Sequence, residues 1–182
     1  MGREDTRPGD QPIRIRLAHA ADAGSIHLGL LGIADTVGER HLVKSTVDDI
    51  RRYGFGAAPA FEALIAEAGS TFAGMCLFFP IFSTWMGRPG VYVQDLYVDP
   101  AFRGRAVGES LLRRTAALCR QRGGVYLRLS VDTGNAAAIR FYERVAIAHS
   151  PSEQTHKIAG EAFSALADAG EATGGRENDV GR

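Results

Sequence analysis

The chain has 182 residues, 45% hydrophobic and 23% charged, a composition that suits one globular domain with a proper core. Lys+Arg and Asp+Glu are equal at 21 each, so no global basic field recommends nucleic acid or a membrane surface as partner. The opening MGREDTRPGDQP lacks the apolar core of a secretory signal, and the longest apolar run, AGMCLFFPIF, is broken by Pro80 and too short to span a bilayer. Cys76 and Cys119 stand apart without metal-ligand spacing and read as thiols of a reducing compartment, so a soluble cytoplasmic protein with no metal is expected.

In chain order, residues 1–12 are polar and read as a flexible tail, residues 13–167 as one domain, and residues 168–182, DAGEATGGRENDVGR, as a second flexible tail. IRIRLA (13–18) alternates apolar and charged residues and predicts a strand with one wet face. DAGSIHLGLLGIADTV predicts a helix with Ile26, Leu30 and Ile33 on one side, weakened by Gly24, Gly29 and Gly32. STVDDIRRYGF predicts a second helix, capped by Ser45 with Asp48 three residues on. FEALIAEA and TFAGMCLFFPIF flank Gly69-Ser70 and predict a hairpin; STWMGRPG reads as a loop and VYVQDLYV as the next strand. A helix is expected to start near Arg105 and to stop at Gly123-Gly124, with Val107, Leu111, Leu118 and Cys119 on its inner face. VYLRLSV then predicts a strand, GNAAAIRFYERV a short helix capped by Asn135, and THKIAG a last strand. This order predicts an α+β fold: a mixed, mostly antiparallel central sheet with helices on both faces, in three layers α/β/α.

The chemistry gathers at YVDPAFRGRAVGESLLRR. A helix that starts here presents first-turn N–H groups without intrahelical partners and about half a positive charge from its dipole. Gly104 and Gly108 let an oxygen-rich ligand approach the backbone, and Arg103 adds a planar cation that can grip phosphate. The segment is neither a nucleotide P-loop, which needs Gly-Lys-Ser/Thr, nor a dinucleotide G-x-G-x-x-G fingerprint. Capping or chain reversal explains a run of this kind equally well when it stands alone.

Its neighbours are VYVQDLYVDP upstream and NAAAIRFYERV about thirty residues downstream. With them, the chain from about Ile13 to Ala167 resembles the GCN5-related N-acetyltransferase (GNAT) family. Arg103, Ala106 and Gly108 satisfy that family's Q/R-x-x-G-x-G/A pyrophosphate loop, with Ala where Gly is commoner. FSTWMGRPGVYVQDLYV and HKIAGEAFSALA make the chain look closest to the diamine acetyltransferase-like branch.

The resemblance implies an acetyl-CoA-dependent N-acetyltransferase acting on a small-molecule amine, with a homodimeric habit. It implies that the backbones of Leu96 and Val98 meet the pantetheine arm. It also implies that the amides of Arg103, Gly104, Arg105, Ala106, Val107 and Gly108 hold the pyrophosphate, and that Asn135 caps its helix or contacts the cofactor. Tyr142 in FYERV is the implied general acid for the departing thiolate; elsewhere such a tyrosine usually just packs. Gln94, Asp95 and Trp85 are the implied acceptor-side residues, while Asp35 and Glu39 fall in segments expected to line the same cleft. This chain departs from the branch at Gln94, where Glu is usual, at Gly134, where Trp is common, and at Ala146, where Gly is usual. Those departures keep open the alternative of a catalytically weakened acetyl-CoA-binding regulatory module; a second alternative, a peptide or protein N-acetyltransferase, would need a long open acceptor groove.

Overall fold

Apolar residues build the centre of the molecule, as nearly continuous buried runs in two of its strands. In the computed structural model, which describes residues 11–174, five strands pair in the order β1 (Ile13–Leu17), β2 (Glu62–Ala68), β3 (Thr71–Ser83), β4 (Arg88–Val98) and β5 (Leu127–Leu129). The first three pairings are antiparallel and the last is parallel. The mostly antiparallel α+β fold expected from the sequence is therefore the fold observed. The β2–β3 hairpin turns at Gly69, whose φ of +59° is the left-handed conformation such a tight turn requires.

One face of the sheet carries α1 (Ala23–Thr36) and α2 (Val47–Phe55). Ile26, Ile50, Ile65, Met75 and Leu77 are buried together there. Two glycines that weaken α1 as a helix allow its close approach to the sheet. A Cβ at Gly29 would stand 2.9 Å from the Met75 side chain, and one at Gly32 would stand 2.3 Å from the Tyr97 ring. Packing overrides propensity at these positions. The cap of α2 lies one residue later than expected. Thr46 Oγ1 accepts from the Asp49 N–H at 3.2 Å, and the Asp49 carboxylate accepts from the Thr46 N–H at 2.8 Å.

The opposite face carries α3 (Val107–Gln121), with Val107, Leu111, Leu112 and Leu118 buried. Buried Thr115 donates to the Leu111 carbonyl at 3.0 Å and to Cys76 Sγ at 3.4 Å, which ties α3 to β3. α3 begins two residues later than expected because residues 103–106 form turns first. The strand expected over 125–131 shortens to Leu127–Leu129, where β4 offers a partner. α4 (Ala136–Arg144) starts as expected, with Asn135 Oδ1 accepting from the Ala138 N–H at 3.0 Å.

The chain divides into two compact units, residues 1–145 and 146–182. In the second, THKIAG is not a strand: residues 155–159 join no ladder, and Gly160 (φ +63°) turns the chain into α5 (Glu161–Gly174). Brief alternation cannot hold a strand that lacks a partner, while the Ala- and Glu-rich segment after Gly160 has high helix propensity. α5 includes residues 168–174 of the tail expected from Asp168; the remainder of that tail and residues 1–10 of the first lie outside the described residues.

Candidate active site

The site begins at a break in the sheet. β4 and β5 pair only from Val91↔Leu127 to Val93↔Leu129, whereas β4 continues beside β3 as far as Val98. At the same point the β3–β4 register shifts, with Leu77 opposite Asp95 and Phe78 opposite Val93, so Gln94 is the extra, bulged residue. The Asp99 N–H donates to the Ala73 carbonyl at 3.0 Å, so residue 99 points its backbone at β3. By strand alternation Leu96 and Val98 point theirs to the opposite edge, where β5 no longer follows. A row of backbone donors and acceptors is thereby open beside the break.

Val98 leads into the loop singled out by the sequence. Residues 103–106 are turns, with Gly104 at φ +77° and Ala106 at φ +57°, and Ala106 stands at the N-cap of α3 without a side-chain capping bond. The first amides of α3 are thus left for a ligand. A Cβ at Gly108 would lie 3.3 Å from the Phe141 ring and 3.4 Å from Val98, so a larger residue would crowd the space between this helix mouth, β4 and α4. The Arg103 side chain is exposed, and its Nε approaches the Val98 carbonyl at 3.4 Å. Arg105 is engaged elsewhere: Nη2 donates to the Gln11 carbonyl at 2.8 Å, and the guanidinium stands over the Phe102 ring at 5.5 Å. Its contribution to the loop is therefore its backbone. Two left-handed residues, an uncapped helix and a glycine-sized gap fit a pyrophosphate.

Beside the break, burial shapes the ionisable groups. It pushes the Asp95 carboxyl up to about 6. It pushes the Tyr142 hydroxyl of α4 up to about 12, reinforced by nearby Cys76 and Asp95. The Cys76 thiol is also pushed up to about 12, chiefly by its own burial, and is inert as a nucleophile at neutral pH. Asp95, Tyr142 and Cys76 thus share one neighbourhood, although they come from β4, α4 and β3.

Asp95 and Gln94 also line a cleft of about 470 Å³ under the α1–α2 connection, with Glu39 and Ser45 as its other polar residues. Asp35 is instead paired with Arg40 at 2.5 Å and does not line that cleft. Trp85 does not line it either: it is 99% exposed in the turn between β3 and β4. That turn is separated from Gln94 by β4 residues 88–93, roughly 20 Å of extended chain. Leu30, Ile33 and Val43, which do line the cleft, carried no sequence signal beyond that of ordinary core positions.

Residues 36–147 match the model of the acetyltransferase (GNAT) family. The chain belongs to the GNAT family. The mouse protein named thialysine N-epsilon-acetyltransferase is 32% identical over 165 residues, covering 85% of this chain and 96% of its own length. The human spermidine/spermine N(1)-acetyltransferase-like protein 1 is 28% identical over 151 residues, covering 79% of this chain and 22% of its own length. These relatives support the diamine acetyltransferase-like branch to which the sequence resemblance pointed. An integron cassette protein of V. cholerae has the same fold, with a TM-score of 0.69 and 18% identity over 85% of this chain and 97% of its own. As a GNAT protein, the chain is an N-acetyltransferase, and the break in its sheet is the candidate catalytic centre.

Proposed function

We propose that this N-acetyltransferase carries an acetyl group from acetyl-CoA directly to the nitrogen of a small-molecule amine, with no covalent enzyme intermediate. The observation that carries the reading is the convergence at one break of the open β4 edge, the uncapped α3 mouth, Tyr142 and Asp95. The residues fit the donor. The backbones of Leu96 and Val98 would pair with its pantetheine arm, and the amides from Gly104 to Gly108 would hold its pyrophosphate; the Arg103 N–H donates to the Pro100 carbonyl at 3.4 Å, so Arg103 would add its side-chain charge. Asn135, its Oδ1 occupied as a cap, has its amide N–H₂ group left to contribute.

At pH 7 the Asp95 carboxylate, with its pKa near 6, is mostly ionised, so it attracts an ammonium group. The ammonium first loses one proton to solvent to free the attacking lone pair, and Asp95 then takes the second proton from the nitrogen, which becomes acidic as its bond to the thioester carbonyl carbon forms. Gln94 has no charge and only orients. The backbone donors of β4 stabilise the developing oxyanion. As the C–S bond breaks, the Tyr142 hydroxyl, fully protonated at neutral pH, gives its proton to the departing sulfur. Cys76, buried and neutral, takes no part.

Tyr142→Phe tests the reading, because it keeps the ring and deletes only the hydroxyl. Acetyl-CoA affinity should stay within a few-fold while turnover on an amine panel falls by about 10²–10⁴. Near-normal turnover with chemistry limiting would make Tyr142 a packing residue. Wild-type acetyl-CoA binding without turnover of any amine would favour the regulatory-module alternative that Gln94 raises. Exposed Phe82, Trp85 and Met86 in the first unit, and Ile158, Phe163 and Leu166 in the second, support a homodimer, which sedimentation would test.

A further inference from the structure

Six of the ten residues that line the cleft holding Asp95 are apolar, although the surface they expose to it is nearly half polar. Leu30, Ile33 and Ala34 of α1 supply part of its wall, and Val37, Leu42 and Val43 of the α1–α2 connection supply more. Its volume of about 470 Å³ suits a molecule with a body of several carbons. Two carboxylates line it, and they differ: Asp95 is partly buried on β4, whereas Glu39 is exposed to solvent. Asp35, the third acidic group of the region, is held by Arg40. Lys44, between the lining residues Val43 and Ser45 in the chain, brings further positive charge into the connection.

We infer that the acceptor is a primary monoamine with an extended apolar body, its ammonium at Asp95 and its hydrocarbon along Leu30, Ile33, Val37, Leu42 and Val43. The inference rests on the acetyl-transfer reading for its chemistry, but not for its binding. A methylene buried completely tightens binding roughly fourfold, and one laid along a cleft this open tightens it about twofold. A second ammonium at the far end would shed water against leucine and valine, and a solvated carboxylate such as Glu39 returns little.

The test is a series of butylamine, hexylamine and octylamine beside the diamines of the same lengths. Calorimetric titration into the full chain saturated with coenzyme A reads the cleft. CoA release from acetyl-CoA with the same amines reads the chemistry. Affinity should rise about fourfold for each two-carbon step, and octylamine should bind several-fold more tightly than 1,8-diaminooctane. Val43→Asp should narrow or reverse the preference for the monoamine. A flat series, or diamines that bind wild type as tightly as monoamines, overturns the inference even if both kinds are acetylated. If affinity rises along the series but no amine releases CoA, the acetyl-transfer reading fails while the assignment of the cleft stands.

Discussion

The open edge of β4 and the α1–α2 cleft meet at Gln94 and Asp95, yet they are made of different parts of the chain. Along the open edge, the groups offered to a ligand are backbone: Leu96 and Val98, then the turns at 103–106 and the first amides of α3. In the cleft they are side chains, six apolar ones together with Asp95, Glu39, Ser45 and Gln94. A backbone surface tolerates a change of side chain as long as φ and ψ survive. Ala106 and Ala146 show this, holding φ of +57° and +60° where the family commonly places glycine. A side-chain surface has no such tolerance. One exchange of carboxylate for amide, at Gln94, alters which charge it accepts.

The largest effect expected from breaking the donor side alone follows Arg103→Ala. Loss of charge-assisted hydrogen bonding worth about 1.5–3 kcal/mol should weaken acetyl-CoA roughly ten- to a hundredfold, with stability nearly unchanged. Calorimetric titration showing wild-type affinity would confine the pyrophosphate to the backbone amides.

Asp95→Asn breaks the acceptor side. In wild type, kcat/KM for an amine should show a limb that rises with pH through about 6, and the variant should lose that limb. The sign for stability is opposite. The folded carboxyl titrates higher than an unfolded aspartate at about 3.9, so the folded state binds more protons between those values. Wild-type stability should therefore fall from about pH 4 to about pH 6 and be flat above, by roughly 1–3 kcal/mol in all. Urea unfolding across that range should show the variant free of the decline; identical pH profiles would remove Asp95 as the titrating group.

Gln94→Glu sharpens the contrast by restoring a second carboxylate. It should raise kcat/KM for diamines by about tenfold, since about 1.4 kcal/mol of differential stabilisation suffices, and leave uncharged aromatic amines almost unaffected. Equal gains on spermidine and on an aromatic amine would mean that this position does not set acceptor charge. The smallest effect belongs to Ala106→Gly, which relieves a left-handed alanine at a small cost in unfolded-chain entropy. It should stabilise the fold by about 0.5–1 kcal/mol, visible as a higher Tm, and keep acetyl-CoA affinity within a few-fold.

The sequence by itself determined most of the sheet and the mouth of α3, because both depend on local order. Alternation marked β1, apolar runs on either side of Gly69-Ser70 marked β2 and β3, Asn135 marked the start of α4, and R-G-R-A-V-G marked a helix mouth within two residues of its true position. Tertiary structure decided the rest. Asp95 of β4 and Tyr142 of α4 come together only in the fold, and β5 stops pairing with β4 at Val93, a limit that no residue in VYLRLSV announces. Trp85 resembled an acceptor-side residue but stands in the β3–β4 turn, while Leu30 and Ile33 resembled the inner side of a helix and line the cleft. THKIAG alternated like a strand and found no ladder. Hydrogen-bonded turns and helix caps are written within a few residues, so one stretch of chain suffices to show them. A cleft wall, a perturbed carboxyl and an edge strand exist only through partners far away in sequence, and folding alone brings those partners together.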